Sequence, residues 1–142
     1  MGRSRGGLST KIHAVVDQDG LPVRVLLSPG QASDMAAVPY LLDGLPTSST
    51  VVADRGYDSN AVLELIARSG AQPNIPSCAR RLLKRSVEPT IYRQRNLIER
   101  YFCKLKQFRR IATRFDKLAR NFLAAVLLAS IRLWIRTYES NT

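Results

Sequence analysis

The sequence predicts an α/β fold, and three observations carry that expectation. An alternating segment, "LSTKIHAVVD", is followed by the turn "DQDGLP" and a second extended run, "PVRVLLSPG". A short apolar segment ending in Asp54 then leads into an amphipathic helix. The last third of the chain has helical periodicity throughout. The resulting order of strand, strand, helix, strand, helix, short strand, helix, helix is an α/β layout with a hairpin and then a crossover.

Each element has a local reason. In "KIHAVVD", Ile12, Ala14 and Val16 fall on one side and Lys11, His13 and Asp17 on the other, the period of a half-buried strand. Asp19-Gly20 is a strong two-residue hairpin signal, and Pro29-Gly30 closes the returning strand. Ser33 or Asp34 can cap a helix whose apolar stripe is Met35, Val38, Leu41 and Leu42, with Pro39 early in it or breaking it. "SSTVVAD" reads as a strand. "YDSNAVLELIARSG" reads as a helix with Val62, Leu65 and Ile66 inward and Gly70 as its stop. "AQPNIP" suggests a brief strand. A basic loop is expected over 77–89, a helix from about Thr90 to Ile111, and a last helix from about Asp116 to Arg136, apolar on most faces. Residues 1–7, Gly-rich and basic, read as a flexible arm. Neither a repeat nor a linker divides the 142 residues, which read as one domain.

Composition narrows the function. A net charge of +11 and a hydrophobic content of 45% describe a folded, strongly basic protein with a polyanionic partner. The segment Arg80–Arg114 holds twelve Lys and Arg against only Glu88 and Glu99, so nearly all of the excess lies in one quarter of the chain. That favours a local binding face. Cys78 and Cys103 form no CxxC pair, and with the lone His13 they are too few for a zinc site, so both read as reduced thiols. The chain opens without a secretory pattern. Its longest apolar stretch, Phe122 to Ile131, is about half a membrane span.

Two carboxylates stand out. Asp54 ends "TVVAD" and precedes Arg55-Gly56, and ligands of open α/β sheets sit beyond the carboxyl ends of strands. The alternative is a turn or cap role, for which Asp58 and Ser59 look better placed. Glu99 lies in "YRQRNLIERYFCKLKQFRR", where Tyr92, Arg95, Glu99, Phe102 and Lys106 follow steps of three and four and so share one helix face. Here the alternative is an ion pair of Arg95 with Glu99, worth a few tenths of a kcal/mol, roughly 0.3. Metal-dependent phosphoryl chemistry needs converging carboxylates with cations beside them, and Asp54 and Glu99 are the candidates.

The spacing Tyr92, Arg95, Glu99, Lys106 resembles the Tyr-Arg-Glu-Lys pattern of bacterial insertion-sequence transposases of the DDE class. "GRSRGGLSTKIHAVVD", "SPGQASD", "VVADRGYDSNA" and "RNLIERYFCKLKQFRRIATRFDKLARNFLAAVLLA" resemble segments of that family in the same order, over almost the whole chain. The resemblance implies a ribonuclease-H-like catalytic core followed by C-terminal helices. It also implies metal-dependent DNA cleavage and strand transfer at insertion-sequence ends, with two Mg²⁺ or Mn²⁺ ions held by three carboxylates. Asp54 matches the second Asp and Glu99 the catalytic Glu. Tyr92, Arg95 and Lys106 match supporting residues that contact DNA, and Arg100, Lys104, Arg109, Arg110 and Arg114 extend the expected DNA grip. The family's first Asp lies on a strand upstream of "GRSRGG", so the expectation is a core lacking its first strand, a two-metal site incomplete in this chain, and an isolated chain without full activity. The expected partners are transposon-end and target DNA, the product of an upstream reading frame, and further copies of the chain. The expected location is the bacterial cytoplasm at the nucleoid, with no membrane role. The other readings are a non-catalytic basic DNA-binding protein, an inactive transposase remnant, and a membrane-surface protein. The last is disfavoured because Tyr101, Phe102 and Phe108 spread over more than one face.

Overall fold

The computed structural model describes residues 2–4, 7–114 and 117–141. Its described chain is mixed α/β, and it folds as two compact units. The first comprises residues 1–32 and 97–142, the second residues 33–96.

The first unit is built on an antiparallel sheet in the order β1 (Gly2–Ser4), β2 (Gly7–Val16), β3 (Pro22–Pro29). The arm expected over 1–7 is in part a strand, because Gly2 pairs with Ser9 and Ser4 with Gly7; Met1, Arg5 and Gly6 lie outside the described residues. The β2–β3 hairpin pairs Ile12 with Leu27 and Ala14 with Val25, with an irregularity between Val15 and Val16, and its connection spans 17–21 in place of the expected two-residue Asp19-Gly20 turn. Its turn is held by Asp17, whose Oδ1 accepts from the amides of Asp19 and Leu21. Gly20 takes the left-handed backbone there, at φ 78°.

The alternation read from the sequence sets the core. Ile12, Ala14, Val16, Val25 and Leu27 pack against buried Tyr101, Leu105, Ile111, Phe122, Val126, Ala129 and Leu133. These come from α4 (Asn96–Lys106), α5 (Arg109–Ala112) and α6 (Ala119–Ser140), labelled in chain order with the second unit's α1–α3. His13, assigned to the polar side, is nevertheless buried, and its Nε2 lies 2.6 Å from Ser28 Oγ. Tyr101 Oη meets Ser130 Oγ at 2.8 Å, and Ser130 donates onward to Val126 O, so the hydroxyls inside this core are satisfied. Trp134 Nε1 donates to Pro22 O and ties α6 to the start of β3.

The second unit holds a two-stranded parallel sheet, β4 (Thr50–Val52) and β5 (Gln72–Asn74), joined through α2 (Asn60–Arg68). Ser59 Oγ caps α2 by accepting from Val62 N. Val62 and Ile66 bury with Val38, Ala71 and Ile75, as the amphipathic pattern requires. The helix expected after Ser33 is instead a 3-10 turn, Asp34–Ala37, followed by one α-turn, α1 (Val38–Leu41). Pro39 stands at the start of α1, where its missing N–H costs nothing. The helix expected over 90–111 is likewise divided. It comprises α3 (Pro89–Tyr92), a 3-10 segment Arg93–Arg95, α4, and, after extended backbone at Phe108, the separate turn α5. The break at Phe108 re-aims the chain so that Phe108 and Ile111 both pack on the first unit's core.

The last helix begins at Ala119 and runs to Ser140, later at both ends than expected; Asp116 lies outside the described residues. Its all-round apolarity calls for burial or for packing against a partner, and the described core covers one face of it. Leu128, Ile131, Ile135 and Tyr138 are exposed, while Phe122, Val126, Ala129 and Leu133 face the core. Leu105→Ala should lower the unfolding free energy by about 2–5 kcal/mol in a denaturant titration, because its side chain has almost no exposure and the cavity has rigid neighbours.

Candidate functional site

Asp54 lies just past β4 and caps a 3-10 turn, Arg55–Tyr57, by accepting from Gly56 N at 2.9 Å. Asp58 and Ser59 do not displace it from that role, contrary to the sequence expectation. Ser59 caps α2, and Asp58 has a separate function described below. Asp54 is exposed and lines an open cleft of about 410 Å³ with Ser33, Asp34, Met35, Gly56 and Tyr57. The phenol of Tyr57 is pushed above its ordinary value by burial first, then by the Asp34 and Asp54 carboxylates. Both carboxylates are therefore felt at one hydroxyl. Asp34 was read from the sequence only as a helix cap; its place in the cleft arises from the β3-to-α1 connection, which periodicity does not report.

Gly56 has a specific reason to be glycine. A Cβ there would stand 2.9 Å from Asp54 Oδ1, so any side chain would turn the carboxylate off the Gly56 amide.

Glu99 lies in the first turn of α4 and is exposed. The positive end of the helix dipole favours its charge there. At about 100° per residue, Glu99, Cys103 and Lys106 fall on the face of α4 opposite buried Tyr101 and Leu105, while Arg100 and Lys104 occupy a flank. Of the expected face, Glu99 and Lys106 share this outward side, whereas Phe102 is half-buried against the core. The 3-10 segment separates Tyr92 and Arg95 from α4, and those two pair with each other, the Arg95 guanidinium lying 5.9 Å from the Tyr92 ring centroid. Arg109 and Arg110 are exposed on α5. Arg114, expected to grip DNA, is half-buried: it donates to Thr10 Oγ1 and lies over the Phe122 ring at 5.0 Å. Among the described residues no three His, Cys, Asp or Glu side chains form a group able to hold a metal.

Asp58 is the carboxylate that sequence reasoning missed. Its side chain is 0% exposed. Oδ2 accepts from Cys78 N at 2.6 Å and Arg81 Nε at 3.0 Å, and Oδ1 from Arg85 at 2.7 Å. The Arg81 bond above all holds this carboxyl far below the usual carboxylate range, with Cys78 and Arg85 adding to it and burial opposing. Arg81 and Arg85, counted as part of a free basic face, are thus internal cations of the second unit.

The chain matches the transposase DDE domain model over residues 2–134. It belongs to that family. A putative transposase of insertion sequence element IS6501 from Brucella ovis is 38% identical over 135 residues, covering 91% of this chain and 100% of that protein. A putative transposase of element IS402 from Burkholderia cepacia is 30% identical over 130 residues, covering 82% of this chain and 57% of its own length. A transposase of element IS1106 from Neisseria meningitidis serogroup B is 40% identical over 52 residues, covering 37% of this chain and 18% of that protein. No solved structure matches the chain. The family's work is DNA transposition.

Two outcomes test the local geometry. Gly56→Ala should leave thermal stability nearly unchanged while releasing the Asp54 carboxylate from the residue-56 amide, read by hydrogen exchange at that amide alongside a melting curve. For Asp58, a folded value below the unfolded one means its contribution is complete above the ordinary carboxylate pKa and is lost as pH falls from about 4 downward. Hydrogen exchange should therefore show the 77–88 amides protected at neutral and mildly acid pH and opening below that range. Asp58→Asn should open them at every pH.

Proposed function

We propose that the chain supplies metal-dependent cleavage and strand transfer at insertion-sequence ends, within a ribonuclease-H-like core of the DDE type. The observation that carries this reading is the exposed Asp54 carboxylate beyond the end of a parallel strand, fixed by the Gly56 amide at the mouth of a cleft. Asp54 and Glu99 would hold Mg²⁺ or Mn²⁺, a bound ion whose chemistry is to make a strong oxygen nucleophile at neutral pH and to offset charge on the phosphate. The fit rests on donor type: both groups are exposed carboxylates, the ligands such ions prefer.

The protein's own contribution is positioning and charge. Tyr92 and Arg95, already stacked, present a guanidinium to a DNA phosphate beside the cut end. Lys106 shares the outward face of α4 with Glu99, so one cation accompanies the carboxylate that approaches the polyanion. Arg100, Lys104, Arg109 and Arg110 are exposed and add sequence-independent grip on the backbone. Arg114 serves the fold first. Paired DNA ends call for more than one copy of the chain, with the upstream-frame product as a further partner. The place of action is the bacterial nucleoid. Among the described residues no helix is long and apolar enough to cross a membrane.

A second reading has one observation in its favour. The first turn of α4 gives Glu99 a structural reason to be acidic, and a basic DNA-binding remnant would need nothing more of it. A donor-plasmid transposition assay, run with the upstream-frame product supplied to complete the site, separates the two. Asp54→Asn and Glu99→Gln should each abolish joining, by about 10²-fold or more if the residue touches the reacting phosphate, while salt-dependent DNA binding is retained. Joining that survives both substitutions would leave the non-catalytic reading.

A further inference from the structure

Leu82 and Leu83 are 97% and 86% exposed, adjacent to each other, at the tip of a loop that is tightly held. The holding is multiple. Asp58 grips Cys78 N, Arg81 and Arg85; Arg85 also donates to Ile75 O; Arg85 N donates to Ser77 Oγ; and Arg81 reaches Asn60 Oδ1. Lys84 Nζ folds back on the carbonyls of Cys78 and Ala79 at 2.6 and 2.8 Å, closing the loop beneath the leucines. Isolated exposed leucines are ordinary on a protein surface. Two consecutive ones, almost wholly in water, on a loop fixed by a buried carboxylate, are a presented apolar edge.

The charge around that edge selects its occupant. Arg80 and Lys84 are exposed beside it, while Arg81 and Arg85 are paired with Asp58, so the loop still carries an excess of positive charge. We propose that the 77–85 loop is a DNA wedge: the exposed Arg80 and Lys84 seat on phosphates while Leu82 and Leu83 enter between base pairs from the minor groove. Apolar side chains inserted in this way unstack a step and kink and unwind the duplex. The buried Asp58 cluster resists the recoil that a flexible loop would suffer. The wedge rests on the DNA-binding reading above and adds to it a deformation of the substrate, at a place in the chain separate from both catalytic candidates in sequence.

The test reads unwinding without needing a known binding sequence. Closed-circular plasmid is relaxed by topoisomerase I with increasing amounts of the chain, then stripped of protein and resolved as topoisomers, with plasmid binding measured in parallel against salt. The chain should shift the linking number in proportion to the amount bound. The Leu82→Ala/Leu83→Ala variant should bind with the same salt slope and lose most of the shift, and Leu82→Met/Leu83→Met should keep it. Because both side chains are exposed, circular dichroism melts of the variants should superimpose on the parent. An equal shift from the alanine variant overturns the wedge and leaves DNA binding standing. Failure of the parent chain to bind plasmid overturns both readings. Flotation of the parent chain with phosphatidylglycerol vesicles, lost in the alanine variant with no change in topoisomers, would make the occupant a membrane and also overturn the wedge.

Discussion

The constraint on which the second unit depends is the burial of one carboxylate among cations. The chain has 22 Lys and Arg against 11 Asp and Glu, so a carboxylate inside the protein can gather more than one base. Asp58 does so for Arg81, Arg85 and a backbone amide together. A buried carboxylate without those partners would be strongly unfavourable, and the arginines without it would repel. The cluster turns a run of turn-forming, basic sequence into an ordered loop on the N-terminal end of α2. Asn74 extends the same principle, its buried amide pairing both ways with the backbone of Glu88 and fixing where α3 begins.

That arrangement divides the acids into two kinds. Asp17, Asp58 and Glu88 bind the chain to itself, the last by accepting from Thr90 N at the start of α3. Asp54 and Glu99 are exposed, each beside a helical turn that favours negative charge and each with cations near in sequence. The basic residues divide likewise. Arg81, Arg85 and Arg114 are spent on internal contacts, whereas Arg100, Lys104, Lys106, Arg109 and Arg110 remain on the surface. A net charge concentrated in one stretch of sequence is therefore not a single surface. It is distributed over both units and over two purposes.

What could be read from the sequence follows from which signals are local. The inward set Ile12, Ala14 and Val16, the α2 stripe and the place of the hairpin turn each depend on period or turn chemistry within ten residues, and the structure has them as read, although the connection spans 17–21 with only Gly20 left-handed and is longer than the two-residue Asp19-Gly20 turn expected. Helix continuity was less legible. The interruption at Arg93–Arg95 and the break at Phe108 come from where the chain must deliver Phe108 and Ile111 to a core assembled from distant strands, and no local breaker marks them. His13 fell on the polar side of an alternation yet is buried, because Ser28 across the hairpin satisfies its ring. The candidate carboxylates were visible through their position at a strand end and in a basic helix. The role of Asp58 was not, since its partners lie 20 or more residues away and resemble ordinary surface arginines.

The proposed function makes Asp54 and Glu99 divalent-cation ligands, whereas Asp58 serves the fold. Iron-mediated cleavage of the polypeptide measures this directly, since Fe²⁺ in place of Mg²⁺ generates hydroxyl radicals that cut backbone only near the bound ion. With peroxide and ascorbate, the account predicts paired cuts flanking Asp54 and Glu99, suppressed by excess Mg²⁺, both lost together in Asp54→Asn or Glu99→Gln. Cuts confined to one of the two positions, or centred on Asp58, would contradict it.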